Sequence, residues 1–269
     1  MIIRYDSPSA LRAAYIAKGA SRATKFSSDA SWYGHETEAE TLHKAEIGDT
    51  TLVAKAETML SSLETQIETP RRQWERSPAG PWCSVPDVLA GLPTPMRRQV
   101  HRNDEMNPIT IFVDTGSHAN ISADMLARRG TVVLALVLAL TQARPVQLFQ
   151  LHAGSGRDGE TITTSEINTH PLDLATACYV LTSAGFTRRL VYQLAAKNNG
   201  YDGRFASSFN SWDQTTYYDR LKPRLVSDVK SCLIIGKTLA TDKLLTEPIA
   251  WLNEQVRRFT QDQEDDDNG

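Results

Sequence analysis

The chain has 269 residues, 41% of them hydrophobic and 23% charged, with a formal net charge of −3. That is enough for one sizeable α/β domain with a smaller addition, and too little for several large domains. The net charge selects no class of partner. The longest apolar run, TVVLALVLAL from Thr131, is about half the ~20 residues that a membrane span needs, so no membrane partner is expected.

Three cysteines, Cys83, Cys178 and Cys232, lie far apart with no metal or redox spacing, and no signal peptide precedes them. A reducing, cytoplasmic interior is the simplest setting. The charge is unevenly distributed. Met1 to Lys25 carries Arg4, Arg12, Lys18, Arg22 and Lys25 against Asp6, and the pattern predicts that residues 1–31 are a basic arm that orders on a partner, with a short helix over Ser9–Lys18.

Residues 32–68 read as a helical hairpin. Thr37 with Glu40 three residues on forms a capping box that opens a helix ending near Gly48. Asp49 or Thr50 caps a second helix to about Glu68, in which Leu52, Ala56, Met59, Leu60, Leu63 and Ile67 share a face. Residues 69–107 are Pro-rich, which disfavours helix and interior strand, and read as an extended connection with a turn of helix at Pro86–Ala90. This connection gathers Arg71, Arg72, Arg76, Arg97, Arg98 and Arg102 around Trp74 and Trp82. Guanidinium groups attract phosphates and indoles stack on bases, so these eight residues are the candidates for binding single-stranded nucleic acid.

Residues 108–260 read as an α/β domain with a mostly parallel sheet flanked by helices. Ile109–Val113 is an apolar strand ending at Asp114, Ala123–Gln142 a helix and Val146–Leu151 the next strand. Gly154, Gly156 and Gly159 spell G-x-G-x-x-G, but the Thr- and Ile-rich sequence after them predicts a hairpin into an edge strand over Thr161–Glu166 and no dinucleotide site. A helix ending at Gly185, a strand over Arg188–Ala195 and a turn-rich loop over Asn198–Gln214 follow. A short helix, a strand over Ser231–Ile235 and a last helix from Asp242 to Thr260 complete the domain, before an acidic, disordered tail over 261–269.

IFVDTGSHANIS followed by a helix and a strand, and CLIIGKTLATDKLLTEPIAWL near the end, resemble the first and last units of a von Willebrand factor type A domain. The whole chain also resembles phage-encoded proteins. The resemblance implies a doubly wound α/β fold and a divalent cation, Mg2+, held by Asp114, Ser117 and Thr169. Here Gly116 and His118 stand where the family has serines, and Ala196-Lys197 ends the strand where the family has an aspartate. Apart from that degenerate site no cofactor is expected.

Ser117, His152 and Asp114 could assemble a hydrolytic set at the carboxyl edge of the sheet, but no nucleophile elbow, H-E-x-x-H or Walker A motif accompanies them. The sequence therefore predicts a non-catalytic binding protein with another protein as partner, contacted through Tyr201, Phe205, Phe209 and Trp212. A single-stranded nucleic-acid-binding accessory factor is the first alternative. A hydrolase is the second.

Overall fold

The computed structural model describes residues 1–19, 28–62, 73–79, 82–100, 108–118, 120–156, 159–198 and 214–261. Its elements run in chain order: β1 (Ile2–Tyr5), α1 (Pro8–Ala17), a 3₁₀ turn (Ala30–Tyr33), α2 (Glu38–Ile47), α3 (Val53–Ser61), β2 (Gln73–Ser77), β3 (Trp82–Cys83), α4 (Val85–Leu89) and β4 (Met96–Val100). β5 (Ile109–Asp114), α5 (Ala123–Ala143), β6 (Val146–Gly156), β7 (Gly159–Ile167) and α6 (Leu174–Thr182) follow. A π-helical segment (Phe186–Val191) runs into α7 (Tyr192–Asn198), and α8 (Gln214–Leu225), β8 (Cys232–Ile235), α9 (Lys243–Thr246) and α10 (Pro248–Gln261) close the chain.

The main sheet has five strands in the order β1-β7-β6-β5-β8. All neighbours are parallel except β6 and β7, the predicted hairpin, which pair antiparallel from Leu148↔Ile167 to Gly156↔Gly159; β7 is not the expected edge strand, because β1 pairs along its other side. The expected α/β class with a mostly parallel sheet and flanking helices is what forms. α5 is buried on nearly every side because the sheet, α3, α6 and α10 all pack against it. That explains its run TVVLALVLAL, since a helix apolar all round belongs inside. On the opposite face of the sheet, Tyr218 and Leu221 of α8 cover Phe112, Leu151, Ile162 and Cys232.

Four further expectations are corrected. The start of the basic arm, residues 1–19, is part of the fold: Ile2–Tyr5 pairs in register with Ile162–Ser165, and Ser7 caps α1 by accepting the Ala10 N–H with Pro8 in the first turn. The strand expected over Arg188–Ala195 is helical. Phe186, Leu190, Val191, Leu194 and Ala195 are buried at helical spacing, and Val191 is the lone β-branched residue from Arg188 to Asn198. The Pro-rich connection contains a second sheet, ordered β2-β4-β3 and antiparallel, because no proline falls within its strands: Pro78, Pro93 and Pro95 lie between them and Pro86 stands in the first turn of α4. The last helix breaks at Glu247 and restarts at Pro248, a residue tolerated in a helix's first turn and not in its interior.

The helical pair matches expectation at its start. Thr37 and Glu40 form the capping box, and Gly48 ends α2 with φ +79°. The second helix is described to Ser61, so Leu63 and Ile67 lie outside the described residues, as does the acidic tail after Gln261.

Candidate functional site

β5 ends at the buried Asp114, 2% exposed, and four later segments close around it. Its Oδ1 accepts the Gly116 N–H at 2.8 Å and its Oδ2 accepts the Tyr218 hydroxyl at 2.7 Å. The Tyr218 oxygen in turn accepts the Lys237 N–H at 2.9 Å, so α8 and the turn after β8 are both tied to the strand end. Burial, then the Asp114 charge, pushes the Tyr218 phenol far above its ordinary range, and it stays a donor.

His152, just past the same edge on β6, has its Nδ1 3.9 Å from Asp114 Oδ1, too far for a hydrogen bond. Its ring lies tilted against Tyr192 at 5.0 Å between centroids. Burial holds the imidazole below its usual value, Asp114 pulls the other way, and Lys237 adds to the lowering. Lys237 is itself lowered by burial against the pull of Asp114.

A base with a depressed folded pKa binds fewer protons folded than unfolded, so its contribution to stability is full above the unfolded value of about 6.5 and declines below it. The unfolding free energy from urea titrations should therefore fall between pH about 7.5 and about 5.5, by about 1.4 kcal/mol per unit that His152 resists protonation. His152→Gln should flatten that slope; an unchanged slope in the variant would remove His152 as its source.

The metal set implied by the resemblance does not assemble. Thr169 follows β7, which runs antiparallel, so it lies at the other end of the sheet, where its hydroxyl bonds the Val146 carbonyl. Asp114 is five residues along β5 from that end, ~16 Å at the rise of an extended strand. Ser117 is near Asp114, yet its N–H is donated to the Tyr192 hydroxyl at 2.8 Å and its Oγ accepts from Arg188 at 3.3 Å. Hard cations need several oxygen ligands. Both Asp114 oxygens are already engaged, and no group of three or more His, Cys, Asp or Glu among the described residues is placed to hold a metal.

Arg188 connects this edge to a groove. Its guanidinium is fully buried, stacks 3.6 Å from the centre of the Trp32 ring, and donates to the Trp32 carbonyl at 2.6 Å and the Ile121 carbonyl at 2.5 Å. It thereby fixes the 3₁₀ turn against the loop that leaves β5. The resulting groove, about 730 Å³, runs between that turn, the start of α5 and the end of α6. Asp29, Glu36, Asp49 and Asp124 line it against Lys44 and Arg188. Lys44 bridges Glu36 at 3.2 Å and Asp49 at 2.8 Å, and Glu36 Oε2 also accepts the Tyr179 and Ser183 hydroxyls at 3.0 Å each. Asp29 and Asp124 are exposed, and the buried Trp32 Nε1 has no hydrogen-bond partner among the described residues.

A family model described as a domain of unknown function, DUF7192, matches residues 1–223. The chain belongs to the DUF7192 family. The DUF7192 match takes in β1, the helical pair, the small sheet and most of α8 as one unit, and stops short of β8, α9 and α10. No curated protein and no solved structure matches the chain. Asp114, Ser117, His152, Tyr192 and Arg188 thus fall inside the DUF7192 match, and Lys237 outside it.

Of the nucleic-acid candidates, Arg71, Arg72 and Arg102 lie outside the described residues, while Trp74, Arg76, Trp82, Arg97 and Arg98 stand on β2, β3 and β4. The protein-binding candidates Tyr201, Phe205, Phe209 and Trp212 all lie outside the described residues. Sequence reasoning passed over Trp32, Arg188, Tyr192, Tyr218 and Lys237. An arginine pair inside an apolar helical repeat, at Arg188-Arg189, was the available signal for one of them. Among the described residues, no helix is long and apolar enough to cross a membrane.

Proposed function

We propose that this chain is a non-catalytic binding protein that takes a cationic peptide segment of another protein in the groove beside the carboxyl edge of its sheet. The supporting observation is the groove's charge: four carboxylates against two cations, with both cations already engaged within the chain. Asp124 stands exposed for a lysine or arginine side chain, and Asp29, whose carboxylate accepts the Ser31 N–H and hydroxyl, adds negative charge to the groove. The edge itself, where a hydrolytic set was conceivable, is filled by Tyr218, Tyr192 and Arg188. We read the central sheet as von Willebrand A-like. The succession β5, α5, β6 and hairpin strand β7, with β8 beside β5, supports this, and β1 and the helical Phe186–Asn198 depart from it.

Labelled peptides of basic, neutral and acidic composition, titrated by fluorescence anisotropy at low salt, provide the test. Basic peptides should bind and the others should not. Asp124→Lys should weaken that binding by about tenfold, the equivalent of ~1.4 kcal/mol. Equal affinity for all three compositions would reject the reading.

Register favours one second reading. Arg76 pairs with Arg97, Trp82 also pairs with Arg97, and Trp74 lies two residues from Arg76, so these four positions share one face of the small sheet while Arg98 takes the other. Such a face suits single-stranded nucleic acid. Arg97→Ala should then lower affinity for a labelled oligonucleotide and reduce its salt slope by about one phosphate contact, whereas Arg98→Ala should not. Equal losses in both variants would count against a specific face.

A further inference from the structure

The main sheet ends at β1 on one side and at β8 on the other, and among the described residues neither has a second partner strand. The two edges are not alike. The Thr110 N–H bonds the Ser231 carbonyl, so Leu233 and Ile235 turn their backbone toward β5 while Cys232, Ile234 and Gly236 turn theirs outward. Two of those outward groups are taken within the chain: the Cys232 N–H by the Val229 carbonyl at 3.3 Å, and the Gly236 carbonyl by Arg129. α9 and α10 wall this flank around a groove of about 310 Å³.

On β1 the phase is set by the Ile162 N–H, which donates to the Met1 carbonyl at 2.9 Å. With Ile2 opposite Ile162, this turns the backbone of Ile3 and Tyr5 toward β7 and that of Ile2 and Arg4 outward. Among the described residues, the N–H and C=O groups of Ile2 and Arg4 bond nothing within the chain. They are what another extended strand would need.

Apart from its shortness, β1 carries little of what usually protects an edge. IIRY holds no proline, lysine or bulge, and its one charge is Arg4. Met1 is 63% exposed, and Ile2, Ile3 and Tyr5 are half-buried, so the flank is apolar on both faces of the sheet. Ile2 packs beside Phe112 and Leu151 under α8, and Tyr5 packs on the core around α5.

We propose that β1 pairs antiparallel with β1 of a second copy of this chain, about a two-fold axis at Ile3. Outward residues must meet outward residues, which leaves three registers for β1 on itself. Ile2 against Ile2 leaves both Arg4 backbones unpaired, and Arg4 against Arg4 leaves both Ile2 backbones unpaired and sets like charges together. Ile2 against Arg4 of the second copy engages every outward group, in four N–H···O bonds, and keeps the arginines apart. The same register places Ile3 on Ile3 at the axis and the exposed Met1 on Tyr5, a thioether on an aromatic ring. Such a contact uses the same patch on both copies, so it closes at two and joins two five-stranded sheets into one. It uses no residue that lines the peptide groove.

Disulfide trapping in the full-length chain tests this, on a Cys83→Ser background because Cys83 is exposed while Cys178 and Cys232 are buried. Ile3→Cys should form an interchain disulfide under mild oxidation, since Cα atoms of a non-hydrogen-bonded antiparallel pair stand ~4.5 Å apart. Ile2→Cys should cross-link about tenfold less, because its two copies are offset by ~7 Å along the strands before the gap between them is added. Sedimentation equilibrium of the unsubstituted chain should show a dimer with half-association at ~10–100 µM, the weak range that suits a small contact. Arg4→Pro should abolish that dimer and leave the circular dichroism spectrum unchanged, because an edge strand tolerates proline where the N–H faces away from its neighbour. A monomer at every concentration, equal cross-linking of Ile2→Cys and Ile3→Cys, or a dimer that survives Arg4→Pro would each overturn the proposal.

Discussion

Arg188→Met should destabilise the protein by about 3 kcal/mol, because it strips the donors from two carbonyls and one hydroxyl at once. The carbonyls of Trp32 and Ile121 and the Ser117 Oγ all accept from this one guanidinium, and burial of Ile121 and Ser117 leaves those two acceptors no water to turn to. Removing a buried charge also removes its desolvation cost, which the lowered Arg188 pKa reflects. That relief is why the expected loss stays below the sum of the broken bonds. Methionine keeps only the apolar stem, so the loss measured is that of the guanidinium, its hydrogen bonds together with its stacking on Trp32.

Arg188→Lys should recover less than half of the loss, since an ammonium cannot present a planar fork to two carbonyls while stacking on an indole. The variant has a second readout. Without the guanidinium the Trp32 ring loses its stacking partner, so basic-peptide binding in the groove should weaken even below the unfolding midpoint. A stability change under about 1 kcal/mol for Arg188→Met would mean that those carbonyls find other donors.

Which features could be read in advance follows from what each depends on. β5, α5, β6 and the β7 hairpin are local: apolar runs, a capped start at Ser122 and a turn between strands adjacent in the chain. β1 depends on a partner strand near the middle of the chain, and four residues of IIRY carry too little pattern to announce it. RRLVYQLA fits either period, and burial of Arg188 on a helix decided it. The error over Thr169 was one of polarity. Its place before a helix suited the resemblance, but an antiparallel β7 delivers it to the wrong end of the sheet. The edge cluster was half legible, since Asp114, Ser117 and His152 sit on predicted strand ends. Tyr218 and Lys237, which saturate it, arrive from segments whose placement only the tertiary fold determines.

Gly130→Ala should cost about 3 kcal/mol or more, against a helix-propensity gain of about 1 kcal/mol that the same change brings in an open helix. Gly130 lies inside α5, and its conformation is one any residue adopts, so backbone strain is not the cause. The cause is contact: a Cβ there would stand 2.0 Å from the Leu181 carbonyl oxygen, 2.5 Å from its carbon and 2.8 Å from the Thr182 Cα. These are backbone atoms of α6, which no rotamer change can move aside. α5 cannot recede either, because β6, α3 and α10 hold its other sides. The next residue toward the amino end, Arg129, donates to the Gly236 carbonyl beside the β8 groove, so a displaced α5 would also disturb that contact. Chemical unfolding of the variant decides the sign. A stabilised Gly130→Ala would show that α5 and α6 can separate without loss, and the close crossing would then lose its place as the reason for glycine here.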